Sequence, residues 1–106
     1  MKYYEHLYIG AGITKNKEKI LRKLEKNKPI LNLYVIVLAR QEQNHLEIFD
    51  STLLVQKIFK KEEQFVVGIA DGREEAFMLV EQITQEVYEK TGGTDIRKYL
   101  LAENRN

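Results

Sequence analysis

The stretch 64–93, QFVVGIADGREEAFMLVEQITQEVYEKTGG, constrains the fold more than any other part of the chain. It reads as a buried strand, a tight turn and a long amphipathic helix with a start and a stop. Phe65, Val66, Val67 and Ile69 make a nearly continuous apolar run. Such a run suits a strand covered on both faces. Gly68 interrupts it, which marks a close approach by another backbone or a helix. Asp71 then predicts an N-cap, with Glu74 reaching back as in a capping box. Glu74 and Glu75 put negative charge at the positive end of the helix dipole. Ala76, Phe77, Val80, Ile83, Val87 and Tyr88 recur at helical spacing and predict the stripe that faces a sheet. Gly92 or Gly93 supplies a left-handed C-cap.

Residues 3–10 alternate, with Tyr4, His6 and Tyr8 on one face and Tyr3, Glu5, Leu7 and Ile9 on the other, as a partly exposed strand does. Gly10-Ala11-Gly12 is a turn. A helix follows, capped by Thr14 or Asn16 and ended by Pro29, with a thin apolar stripe of Ile13, Ile20, Leu21 and Leu24. Residues 31–40, LNLYVIVLAR, form the most hydrophobic strand and the expected centre of the sheet. Residues 41–44 are a polar hairpin loop, and 45–50 return as a half-buried strand with Leu46 and Ile48 inward. Residues 51–63 fit a short helix capped by Asp50 or Ser51, or a continuing strand; the reading leans to irregular or helical structure, with a surface turn at 60–63. Ile96, Tyr99 and Leu100 predict a short docked helix before a frayed tail at 102–106.

These elements make one α+β domain over residues 1–101. A chain of 106 residues holds one core. The expected architecture is a mixed four-stranded sheet in the order β-α-β-β-x-β-α, with two helices on one face and a short C-terminal helix. The opening β-α-β unit should place its two strands parallel. The order is similar to a ferredoxin-like sandwich that lacks its last strand.

Several function classes drop out. Cysteine is absent, which removes disulfides, thiol catalysis and thiolate-bound metal. No run reaches the length of a membrane span, and the first ten residues lack the apolar core of a signal peptide, so a cytoplasmic location is expected. No catalytic residue, cofactor or metal site is predicted. His6 and His45 each stand on a strand without ligand-spaced neighbours. Ser51 lacks the glycine elbow and histidine partner of a nucleophile.

Three surfaces remain. Strands apolar on both sides in a sheet with helices on one face leave the other face to be covered. Tyr4, Tyr8, Tyr34 and Ile36 would form that patch, and a second copy would cover it, giving a noncatalytic interaction module that homodimerises. The second surface is basic. Residues 15–28 hold seven basic and two acidic side chains, a local +5 in a chain of net +1. Lys15, Lys19, Arg22, Lys23 and Lys26 could track nucleic acid or an acidic partner. Residues 72–90 carry a local −3, so the molecule is bipolar unless the two helices neutralise one another. The third surface is an anion or nucleotide site at turns 10–12 and 70–72, through Gly10, Gly12 and Gly72. Both turns precede helix N-termini at one end of the expected sheet. The dinucleotide fingerprint is incomplete there, because Lys15 stands where its third glycine belongs.

Overall fold

The computed structural model describes residues 1–39, 45–56 and 64–104. Strands β1 (Lys2–Ile9), β2 (Leu33–Leu38), β3 (Leu46–Asp50) and β4 (Phe65–Asp71) form one mixed sheet in the order β1-β4-β2-β3. A 3-10 segment, Ala11–Asn16, leads from β1 into helix α1 (Lys17–Glu25). A second 3-10 segment, Ser51–Val55, follows β3. Helix α2 (Arg73–Thr91) follows β4, and α3 (Ile96–Glu103) comes last. The class is α+β, and the apolar β2 is central, as its sequence predicts.

Two expectations are overturned. β4 lies between β1 and β2, parallel to β1 and antiparallel to β2. The first two strands are therefore antiparallel, not the parallel pair of a β-α-β unit. The cause is burial: β2 and β4 are the strands apolar on both faces, so they take the two central places. The alternating β1 and the half-buried β3 take the edges.

The helices also lie on opposite faces of the sheet, not on one. On one side Ala76, Leu79, Ile83 and Val87 of α2, with Ile96 and Leu100 of α3, pack against Tyr4, Tyr8, Ile36, Leu38, Val67 and Ala70. On the other side Ile13, Ile20, Leu24 and Leu54 pack against Leu33, Val35, Val37, Val66 and Ile69. Central strands with apolar residues on both faces need a layer on each. The chain supplies both, so neither face stays open and the likeness to a ferredoxin-like sandwich ends.

Gly68 sits where two register irregularities meet. Tyr3 pairs with Val66 and Tyr8 with Gly68, so β1 bulges against β4. Val37 pairs with Val66 and Ile36 with Gly68, which leaves Val67 as an extra residue against β2. A Cβ on Gly68 would lie 3.2 Å from the Tyr8 carbonyl oxygen and 3.3 Å from Ile36 Cδ1. The close approach expected at this glycine is the edge of β1 on one side and β2 on the other.

The helix ends differ from the sequence reading in detail. α2 begins after Gly72, which has φ +89° and offers no side chain, so Asp71 is not the cap. Glu75, not Glu74, reaches back to the Asp71 amide, at 2.8 Å. Gly92 closes the helix in the left-handed conformation, as expected, with its N–H donating to the Tyr88 carbonyl at 2.8 Å. Asn16 makes no side-chain cap on α1, and Thr14 Oγ1 donates instead to the Gly10 carbonyl at 3.1 Å. α1 stops at Glu25, with Asn27 left-handed behind it, before Pro29 is reached. Asp50 caps the segment after β3 through the Thr52 amide, and Asp95 caps α3 through the Lys98 amide, both at 3.0 Å. α3 runs on past the expected end at Leu101. Asn104 Oδ1 then accepts from the Glu5 N–H at 2.9 Å and ties the chain to the β1 edge. The expected hairpin loop at 41–44, the surface turn at 60–63 and the last two tail residues lie outside the described residues.

Candidate interaction surface

α1 turns Ile20 and Leu24 onto the sheet with Leu21 half-buried beside them, and the rest of its circumference is left to polar side chains. Lys15, Lys19, Arg22, Lys26 and Lys28 are exposed; Lys17 and Lys23 are half-buried. Among the described residues no ion pair ties any of these cations to an acid. Glu25, an acid on the same helix, is engaged elsewhere: its Oε1 accepts from the Tyr3 hydroxyl at 2.7 Å. Burial first, then that hydrogen bond and the Glu25 charge, raise the Tyr3 pKa well above its ordinary value. The phenol stays a donor.

The acidic α2 lies across the sheet from α1, so the two helices do not neutralise one another. The domain is bipolar, with a basic layer on one face and an acidic layer on the other.

The turns at the carboxyl ends of β1 and β4 come together, as the sequence predicts. β1 and β4 are parallel neighbours whose chains leave to opposite faces, which opens a crevice at their carboxyl ends. The chain fills that crevice itself. Glu75 Oε1 accepts from the Asp71 N–H, and Oε2 accepts from the Gly12 N–H at 3.1 Å. A Cβ on Gly10 would collide with the same carboxylate. Gly72 stands beside it but donates its N–H to the Asn32 carbonyl at 2.8 Å, and Asn32 Nδ2 donates to Asp71 at 3.1 Å. The place expected to hold an anion between turns 10–12 and 70–72 is taken by the chain's own Glu75.

The aromatic patch expected on an open sheet face is interior. Tyr4, Tyr8 and Ile36 are buried beneath α2 and α3, and Tyr34 is half-buried against the same core. Tyr8 and Tyr99 both donate to Glu86 Oε2, at 2.6 and 3.0 Å, which joins β1, α2 and α3 at one carboxylate. Burial first and then Glu86 raise the pKa of Tyr8 and of Tyr99. Tyr4 stacks on Tyr8 with centroids 6.0 Å apart. Burial, with the neighbouring Tyr99 and acids behind it, pushes the Tyr4 pKa up to about 12.

His6 is exposed and edge-on to Tyr4, and His45 is exposed at the head of β3. Among the described residues no cluster of three histidines or acids could hold a metal. The Ser51 hydroxyl is buried and donates to the Ile30 carbonyl at 2.9 Å. A cleft of about 610 Å³ lies between the end of α2 and α3, lined among others by Lys90, Asp95, Lys98 and Glu103. Its lining mixes both charges and none of these four is buried, so it selects no ligand class.

One surface escaped the sequence reading. Phe77 and Tyr88, expected in the core, are 49 % and 57 % exposed on the outer side of α2, beside Met78 at 67 %. Leu79 takes the inner place. Apolar residues occupy much of this helix's circumference, so periodicity alone left its rotation open.

The fold and its surfaces define a small α+β domain whose two outer layers carry opposite charge. Comparison with known proteins finds no match: no family, no curated protein and no solved structure is significantly similar to the chain. Among the described residues no helix is long and apolar enough to cross a membrane.

Proposed function

We propose that this chain is a noncatalytic interaction module whose basic layer, centred on Lys15, Lys19, Arg22, Lys23 and Lys26, takes an acidic partner. One observation carries the reading. These cations outnumber the two acids beside them, Glu18 and Glu25, on one outer layer, they make no ion pair among the described residues, and the sheet separates them from the acids of α2. The arrangement costs the fold something, since like charges three and four residues apart on a helix repel. A surface that opposes its own helix is explained by what it meets. The packing lends no support to a pairing of two copies through the sheet, because both sheet faces are covered within the chain.

Fluorescence anisotropy against heparin and against a labelled oligonucleotide, over a salt series, tests the reading. Binding should weaken steeply with salt, and the triple reversal K19E/R22E/K26E should abolish it. Each phosphate contact removed should lower the salt slope by about one. Binding that survives the triple reversal would reject this surface. An oligonucleotide preferred over heparin would point to nucleic acid, and the opposite order to an acidic surface of another kind.

A further inference from the structure

Among the described residues the outer side of α2 is a second surface that no other element covers. Glu74, Phe77, Met78, Glu81, Gln85 and Tyr88 are all exposed and fall within about 100° of one another around the helix axis. The result is an apolar patch with acids set into it. Arg73 lies over the Phe77 ring, 5.7 Å from its centroid, so the patch already accepts a guanidinium on an aromatic face.

Two copies could meet α2 to α2, but Glu81 lies in the middle of the patch. A two-fold contact centred there would press Glu81 against itself in a desolvated place, which is costly. The α1 layer carries the opposite sign, and Lys15 with Arg22, like Lys19 with Lys26, has the seven-residue spacing of Glu74 and Glu81, the two acids of the patch. Lys15, Lys19, Arg22 and Lys26 recur every three or four residues, as do Glu74, Met78, Glu81, Gln85 and Tyr88. Lysine and arginine stems can lie along Phe77 and Tyr88 while their charged heads reach the acids.

We infer that the outer face of α2 docks onto the α1 layer of a second copy. The inference rests on the reading of α1 as a binding surface and names the acidic surface it takes as one the chain itself carries. The two surfaces lie on opposite sides of the sheet, so the contact is head-to-tail and a pair of copies keeps one free surface of each kind. Association should continue into short open chains.

Sedimentation velocity over a concentration series tests this. The average mass of the wild-type chain should rise with concentration at low salt. Raising the salt to about 0.5 M should weaken association about tenfold or more. The variants K19E/R22E/K26E and F77S/M78S/Y88S should each stay monomeric. An equimolar mixture should form one-to-one dimers and nothing larger, because only one pair of complementary surfaces remains. A wild-type chain that stays monomeric throughout, or an α2 variant that associates like wild type, overturns the inference. Heparin binding by the same proteins separates the two readings. A monomeric chain that binds heparin through α1 refutes self-docking alone, and a chain that does neither refutes both.

Discussion

Glu75 closes one end of the sheet with a single carboxylate that accepts from two amides 59 residues apart, those of Gly12 and Asp71. Glu75→Ala leaves both amides seeking water and should cost about 1.5–3 kcal/mol, the usual range for hydrogen bonds to a charged group. Gly10→Ala should act through the same contact, because its Cβ would displace the carboxylate. The double variant should then cost less than the sum of the two by about 1 kcal/mol. Urea denaturation of the four proteins measures this, and strict additivity would sink the shared mechanism. The phenols of the core give a second test at this scale. Tyr4 holds its proton to about 12 in the folded chain against 10.0 ordinarily, and Tyr8 and Tyr99 shift in the same direction. A group whose pKa is raised by folding stabilises the fold fully below its unfolded pKa, and the contribution is lost as pH rises through the folded value. The melting temperature should therefore fall as pH is raised from 10 towards 12. Tyr8→Phe should lower stability at pH 7 by about 1 kcal/mol through the lost bond to Glu86, yet flatten the alkaline decline. A decline as steep as wild type would remove Tyr8 from the account.

The helices separate what a sequence encodes locally from what only packing decides. The existence of α2 was legible in its spacing, and its end in the Gly92-Gly93 pair, of which the structure uses Gly92. Its rotation was not, because Phe77, Met78, Leu79 and Val80 are four apolar residues in succession, and any of several stripes satisfies the period. The structure chooses Leu79, 5 % exposed, and turns Phe77 outward. Leu79→Ala should therefore cost about 2–4 kcal/mol and Phe77→Ala under about 1 kcal/mol in chemical denaturation. The reverse order would mean a helix rotated by a residue. The capping error has a similar origin. The helix starts one residue later than expected, after Gly72, so Glu75 and not Glu74 holds its third position, and the Gly12 amide, from another part of the chain, adds a second donor to that carboxylate. The apolar runs of β2 and β4 marked them as doubly covered, but periodicity says which side of a helix is apolar, not which face of a sheet it covers. Placing both helices on one face created an exposed tyrosine patch that the fold does not have. The meeting of the two turns was legible, because it follows from β1 and β4 running parallel.

Across the whole molecule the sheet works as a partition between charges. α1 and α2 would stabilise one another if they shared a face; on opposite faces each keeps its own field, and a domain of nearly neutral total charge is left with two poles. Electrostatic steering depends on such local fields more than on net charge. A layer selected for binding should be improvable as a piece of fold at the expense of its function, and Lys19 offers that test. It stands at the third position of α1, where a negative charge suits the helix dipole and a positive one opposes it. Of its four neighbours at three and four residues, Lys15, Arg22 and Lys23 carry like charge and Asn16 carries none. Lys19→Glu relieves those repulsions and sets a glutamate four residues before Lys23, the favourable order for a helical ion pair. The substitution should raise stability by about 0.5 kcal/mol while weakening heparin binding and lowering its salt slope by about one or two. Thermal melts and the anisotropy titration on one preparation give both readouts. A gain in stability with a loss of binding marks Lys19 as held in place by a partner. A loss of stability would assign the basic layer to the fold itself and remove the main reason for reading it as an interaction surface.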